Sequence, residues 1–138
     1  MTTLRIAVLG DDPLARGGLS ALLAGLEGIA VVGQLAPDDA APVALEALGA
    51  DAVVWDLGEG HAGRLRAVAG SLPVVVVLAD EERAGEALGS GARGIVFRDA
   101  PAERIGAALG AVARGLTALE APVAATWVRT PAAPPPGA

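Results

Sequence analysis

The chain contains no cysteine and no lysine, and it has only one phenylalanine, two tryptophans and one histidine. The absence of cysteine excludes disulfide bonds, thiolate chemistry and cysteine-based metal sites. All ten basic residues are arginines, so lysine is excluded from every catalytic role. Because aromatic residues are so few, the core has to be built from valine, leucine, isoleucine and alanine.

Excess positive charge and long apolar runs are also missing. The formal net charge is −6, which argues against a domain that grips a phosphate backbone. No apolar stretch is long enough and free enough of charges or helix breakers to span a bilayer. The first residues carry no signal-peptide pattern, so we expect a cytoplasmic protein without a membrane partner.

What the chain does have is apolar strands that stop at acidic residues. The run Ala52–Trp55 ends in Asp56, and the run Leu4–Leu9 is followed by Gly10, Asp11 and Asp12. Parallel strands buried on both faces bring their carboxyl ends to one edge of a sheet. Two carboxylate-tipped strands could therefore meet in one crevice and form a cation site or a phosphoryl acceptor.

Short apolar runs alternate with helical windows along a chain of 138 residues, a length that suits one domain. The predicted strands are Arg5–Leu9, Ile29–Gln34, Ala52–Asp56, Pro73–Leu78 and Gly94–Phe97. The predicted helices are Pro13–Ala24, Asp38–Leu48, His61–Ala69, Glu81–Leu88 and Pro101–Arg114. This alternation predicts an α/β fold, a five-stranded doubly wound parallel sheet with helices on both faces.

The end of the chain changes character. Thr130–Ala138 is rich in proline and alanine, a composition typical of an inter-domain linker. We expect residues 1–118 to form the domain and residues 119–138 to form a linker.

Local motifs spread over all five βα units resemble the receiver domains of bacterial response regulators, in particular the NarL/FixJ branch. The matching segments are Arg16–Leu19, Val31–Gly33, Ala50–Leu57, Gly91–Gly94 and Arg98–Pro101. The resemblance covers about Arg5 to Gly115 and implies a flavodoxin-like sheet of order 2-1-3-4-5. It also implies a non-enzymatic regulatory module, a homodimer, a sensor histidine kinase as partner, and a separate DNA-binding domain after the linker.

By this resemblance, Asp56 lies at the phosphoacceptor position. A carboxylate oxygen of Asp56 would attack a phosphoryl donor and form an aspartyl phosphate. Mg²⁺ would be held by Asp11, Asp56 and the backbone carbonyl of Gly58.

Four positions depart from the family pattern. Gly10 replaces the first acid of the strand-one pair, Ala79 replaces the switch hydroxyl, and Ile95 replaces the switch aromatic. Arg98 stands at the lysine position and has a bulkier, planar head. These changes predict an atypical, degenerate receiver with weak or absent Mg²⁺ binding and phosphorylation-independent or altered switching. The alternatives are a functional phosphoacceptor at Asp56 with Mg²⁺-dependent phosphorylation, and a small-molecule-binding domain.

Several of these residues have simpler interpretations. Asp56 could serve only as an ion-pair partner of Arg98. Asp11 could bind a cation, or it could hydrogen-bond the loop that starts the first helix. Asp12 is predicted to be a helix N-cap. His61 is a lone histidine with no paired acid or second histidine, and it is predicted to be a solvated loop residue rather than a catalytic base.

Overall fold

The computed structural model describes residues 3–58 and 60–129. Its strands are β1 (Leu4–Gly10), β2 (Ile29–Leu35), β3 (Ala52–Asp56), β4 (Val74–Leu78), β5 (Gly94–Phe97) and β6 (Ala118–Leu119). Its α-helices are α1 (Pro13–Ala24), α2 (Pro42–Leu48), α3 (Ala62–Ala69), α4 (Ala84–Gly89), α5 (Ala102–Ala113) and α6 (Ala121–Arg129). Short 3₁₀ turns, Pro37–Asp39 and Glu81–Arg83, precede α2 and α4.

All strand pairings are parallel, and the sheet order is β2-β1-β3-β4-β5-β6. The predicted doubly wound order 2-1-3-4-5 is therefore confirmed, with one additional edge strand. In the pairing of β1 with β3, Gly10 lies directly opposite Asp56. This register brings the ends of the two carboxylate-tipped strands to the same edge.

Two apolar layers cover the sheet, as strand alternation requires. One layer packs α1 and α5 on the sheet, with the buried residues Ile6, Val8, Leu23, Val54, Val75, Leu109 and Val112. The other packs α2, α3, α4 and α6, with the buried residues Leu9, Leu45, Trp55, Leu65, Val76, Ala87 and Val123. Aliphatic side chains make up almost the whole core, as the composition predicted.

Helix starts follow local chemistry. Asp12 caps α1, since its Oδ1 accepts a hydrogen bond from the Leu14 N–H at 3.0 Å. This confirms the N-cap prediction. The predicted start of the second helix at Asp38 was wrong, because α2 begins at Pro42. A residue before proline disfavours the helical region, and Ala41 is accordingly extended, with φ −77° and ψ 149°.

The segment after α5 adds β6 and α6 to the domain. Ala118–Leu119 pairs with Gly94–Ile95 of β5, and Val123 on α6 is buried against the sheet. The predicted division between residues 118 and 119 therefore lies inside β6, and the division remains a prediction. The segment Thr130–Ala138 predicted as linker lies outside the described residues.

Within residues 3–58 and 60–129, no helix is long and apolar enough to cross a membrane.

Candidate functional site

The carboxyl ends of β1 and β3 bring together the residues predicted to form the site. Asp56 is the last residue of β3, and Asp11 follows Gly10 at the end of β1. A Cβ atom added at Gly58 would lie 2.5 Å from Oδ2 of Asp11. Glycine at position 58 therefore leaves the space into which the Asp11 carboxylate points.

Asp56 is paired with an arginine. Nε of Arg98 donates to Oδ1 of Asp56 at 2.8 Å, and its Nη2 donates to the Leu57 carbonyl at 3.3 Å. The Asp56 side chain is only 19% exposed, whereas that of Arg98 is 48% exposed. The structure thus contains the ion pair that was the simpler interpretation of Asp56, and its role as a phosphoacceptor remains a prediction.

Asp11 is held by the single histidine. Nε2 of His61 lies 3.0 Å from both carboxylate oxygens of Asp11, so the nitrogen is the donor. The imidazole is 20% exposed, and its ring lies 6.4 Å from that of Trp55. The prediction that His61 is a solvated loop residue was wrong, because Asp11 and Trp55 hold the ring on two sides. Fifty residues separate His61 from Asp11, so no local sequence pattern could have revealed the pair.

The backbone carbonyl predicted as a metal ligand also has a partner. Nη1 of Arg83 donates to the Gly58 carbonyl at 2.5 Å, and Nη2 donates to Glu86 at 3.3 Å. Arg83 ends the 3₁₀ turn before α4, and its place in the site was not predicted from the sequence. Its only distinguishing signal was a basic residue among acidic ones in that turn.

The positions predicted to be altered lie as follows. Ala79 follows β4 and lines a cavity of about 280 Å³ together with Gly58, Arg83 and Arg98. Ile95 lies in the middle of β5, is fully buried, and pairs with Leu119 of β6. This cavity therefore has no hydroxyl from residue 79, and the core contains an aliphatic group at position 95, where the family has an aromatic one.

Receiver domains typically bind Mg²⁺ at the phosphorylation site, so the oxygen atoms present here can be compared with the ligands that Mg²⁺ requires. Mg²⁺ requires oxygen ligands at about 2.0–2.1 Å in near-octahedral geometry. Here Asp11, Asp56 and the Gly58 carbonyl each accept a hydrogen bond from a side-chain nitrogen. Among residues 3–58 and 60–129, no group of three or more acidic, histidine or cysteine side chains is arranged to hold a metal ion. In this arrangement Asp11, Asp56 and the Gly58 carbonyl do not form a set of three unoccupied ligands, and Mg²⁺ would have to compete with the three nitrogen donors.

The sheet order and the acidic carboxyl edge are those of the receiver fold. No family model and no curated protein sequence matches the chain. Solved structures do match, and they are response regulators of the LuxR and NarL type. The resemblance to NarL/FixJ-type receiver domains is therefore confirmed, and it supports a regulatory role in two-component signalling.

Three of these structures illustrate the likeness. A LuxR-family response regulator from Aurantimonas sp. SI85-9A1 is 25% identical, with 90% of this chain and 94% of that chain covered and a TM-score of 0.77. The receiver domain of the putative response regulator NarL from Mycobacterium tuberculosis is 28% identical, with coverages of 83% and 99% and a TM-score of 0.71. The response regulator ChrA of a heme-sensing two-component system is 27% identical, with coverages of 97% and 70% and a TM-score of 0.73.

Proposed function

We propose that this chain is a regulatory module of a response regulator whose output does not depend on phosphorylation of Asp56. The observation that carries the proposal is the Arg98–Asp56 ion pair at 2.8 Å. In the receiver family, the carboxylate at the position of Asp56 is the group that accepts the phosphoryl group.

The pairing works against nucleophilic attack. A carboxylate attacks phosphorus through an oxygen lone pair, and the guanidinium of Arg98 already engages Oδ1 of Asp56. Attack through Oδ1 would therefore require Arg98 to move away from Asp56. The negative charge of an incoming phosphoryl group would also have to be neutralised. A Mg²⁺ ion in that role would compete with the side chains that already bond Asp11, Asp56 and the Gly58 carbonyl.

The parts that would transmit phosphorylation are also altered. The methyl group of Ala79 cannot donate a hydrogen bond to a phosphoryl oxygen. Ile95 is fully buried and paired with β6, so it cannot act as an aromatic group that moves between solvent and core. Even if Asp56 were phosphorylated, the hydroxyl and the aromatic group that change the domain surface in the family would be missing.

Output would instead come from assembly with other molecules. We extend the proposal to a homodimer, or a complex with a protein partner such as a sensor kinase, formed without phosphoryl transfer. The domain would control a DNA-binding domain joined to it through a linker. With a net charge of −6, this domain would not itself bind nucleic acid.

The test is incubation with beryllofluoride and Mg²⁺, followed by size-exclusion chromatography with light scattering. We expect the same oligomeric state with and without beryllofluoride, because Asp56 is engaged by Arg98 and the switch groups are missing. Asp56→Asn is the matched control, and it should behave as the parent protein does.

A change of oligomeric state that Asp56→Asn abolishes would overturn the proposal. That result would establish the alternative, a working phosphoacceptor in which Arg98 replaces the family's lysine.

A further inference from the structure

We infer that three side chains of the chain itself replace the divalent cation at this site: His61 on Asp11, Arg98 on Asp56, and Arg83 on the Gly58 carbonyl. The domain is then a receiver whose resting site is neutralised internally and takes up no Mg²⁺. This inference deepens the proposed function and rests on it only in treating Asp11, Asp56 and Gly58 as the family's cation ligands.

Each of the three groups predicted to bind the cation has its own nitrogen donor. The nitrogen–oxygen distances are 3.0 Å at Asp11, 2.8 Å at Asp56 and 2.5 Å at Gly58, all within hydrogen-bonding range. A cation at the ordinary position would have to compete with all three donors for these groups. Mg²⁺ also loses its own water reluctantly, which raises the cost of that exchange.

Formal charge leads to the same conclusion. The carboxylate of Asp56 is paired with the guanidinium of Arg98, and that of Asp11 with the imidazole of His61. The guanidinium of Arg83 is shared between the Gly58 carbonyl and the carboxylate of Glu86. Gly10 contributes no carboxylate where the family has one. The site therefore attracts a divalent cation less than a site with a second strand-one acid and an unpaired acceptor would.

The donors come from three different parts of the fold. His61 precedes α3, Arg83 precedes α4, and Arg98 follows β5. The imidazole of His61 and the guanidinium of Arg83 are 20% and 28% exposed, so both contacts are partly shielded from water. Solvent screening weakens such contacts less than it weakens fully exposed pairs. The loops around the crevice are thereby tied together without a metal ion.

The experiment is a titration of the full chain with MgCl₂, followed by the backbone amide resonances of residues 11, 56 and 58, with no phosphoryl donor present. A parallel NaCl titration at equal ionic strength corrects for screening. We expect no saturable shift in the parent protein. The variant His61→Ala/Arg83→Ala/Arg98→Ala removes the three donors. It should show a saturable shift, with an affinity for Mg²⁺ at least about tenfold above the upper limit measured for the parent.

A matched control removes the same permanent charge elsewhere. Arg66 and Arg93 are exposed, and they lie in the last turn of α3 and just before β5. The variant Arg66→Ala/Arg93→Ala should bind Mg²⁺ no more tightly than the parent, because it leaves the three oxygens engaged. Should the triple variant fail to fold by circular dichroism, His61→Ala/Arg98→Lys is the second variant, and it should also gain binding.

Saturable Mg²⁺ binding by the parent protein, with shifts at residues 11, 56 and 58, would overturn the inference. So would equal gains in the release variant and the charge control, or a folded release variant without any gain. These titrations contain no phosphoryl donor and no beryllofluoride, so Mg²⁺ binding and the oligomeric response that tests the proposed function are measured separately, and either can fail without the other.

Discussion

Two carboxylate–arginine pairs lie on opposite sides of β5, and they serve different purposes. At the crevice, Asp56 accepts from Nε of Arg98. At the β5–β6 edge, Glu120 accepts from Arg104 at 3.1 Å and also from the Phe97 N–H at 3.1 Å. The Glu120 side chain is only 10% exposed. A carboxylate that satisfies a backbone group supports the fold, whereas within residues 3–58 and 60–129 the side chain of Asp56 is hydrogen-bonded only to the half-exposed side chain of Arg98.

The same contrast extends to the surrounding segments. Glu120 follows β6, and its own N–H donates to the Ile95 carbonyl at 3.1 Å. The short strand, the glutamate and the buried Val123 of α6 therefore attach the segment after α5 to the edge of the sheet. In the part of the chain that the structure describes, the side chain of Asp56 makes no such attachment to the backbone. Removing each carboxylate should consequently have unequal effects on stability.

The largest expected effect is that of Glu120→Ala. The substitution leaves the Phe97 N–H without its acceptor, which should lower the free energy of unfolding by about 1–3 kcal/mol. Urea denaturation measures the change. Glu120→Gln keeps an acceptor oxygen and should cost less, and the exposed Glu46→Ala should change stability by less than about 0.5 kcal/mol. Equal losses for Glu120→Ala and Glu46→Ala would contradict a fold-supporting role for Glu120.

A smaller effect on stability is expected from Arg98→Ala. Nearly half of the Arg98 side chain is exposed, so solvent screens the pair and the loss should be about 0–1 kcal/mol. The measurement is the same urea denaturation, with Arg104→Ala as the matched control at the other pair. A loss at Arg98 as large as that of Glu120→Ala would mean that the crevice pair also holds the fold together.

Breaking the Asp11–His61 contact should hardly change stability but should alter reactivity. Because His61 is the only histidine, its modification by diethyl pyrocarbonate can be followed without interference from another imidazole. Asp11→Ala should raise the rate of modification severalfold, since the carboxylate no longer engages Nε2. Asp12→Ala removes a neighbouring acid that caps α1 and should leave the rate unchanged. An unchanged rate in Asp11→Ala would show that the contact does not shield His61.

Elements with strong periodicity could be predicted from the sequence, and elements set by tertiary contacts could not. The run Val74–Val77 is aliphatic throughout and was assigned to a central strand, which the structure confirms. The two-residue strand Ala118–Leu119 has no periodicity to detect, and its position depends on the free edge of β5. For this reason the sheet has six strands where five were expected.

The site was predictable in outline but not in its contacts. The ends of β1 and β3 had to meet at one edge once the strands were parallel, so Asp11 and Asp56 could be grouped from the sequence. The partners His61 and Arg83 lie 50 and 25 residues from the groups that they contact. Such contacts depend on how the loops fold over the crevice, and no spacing rule encodes them.

The most direct test of the central claim is phosphoryl uptake from acetyl phosphate in the presence of Mg²⁺, measured by intact mass. The parent protein should remain unmodified. The variant Gly10→Asp/Ala79→Thr/Arg98→Lys restores three of the four altered family groups, leaving Ile95 unchanged. It should gain a phosphoryl group, and a further Asp56→Asn substitution should abolish that gain. A Cβ atom at position 10 would meet only ordinary contacts, the nearest at 3.5 Å, so the Cβ of the added aspartate has space. Stoichiometric phosphorylation of the parent at Asp56 would contradict the claim.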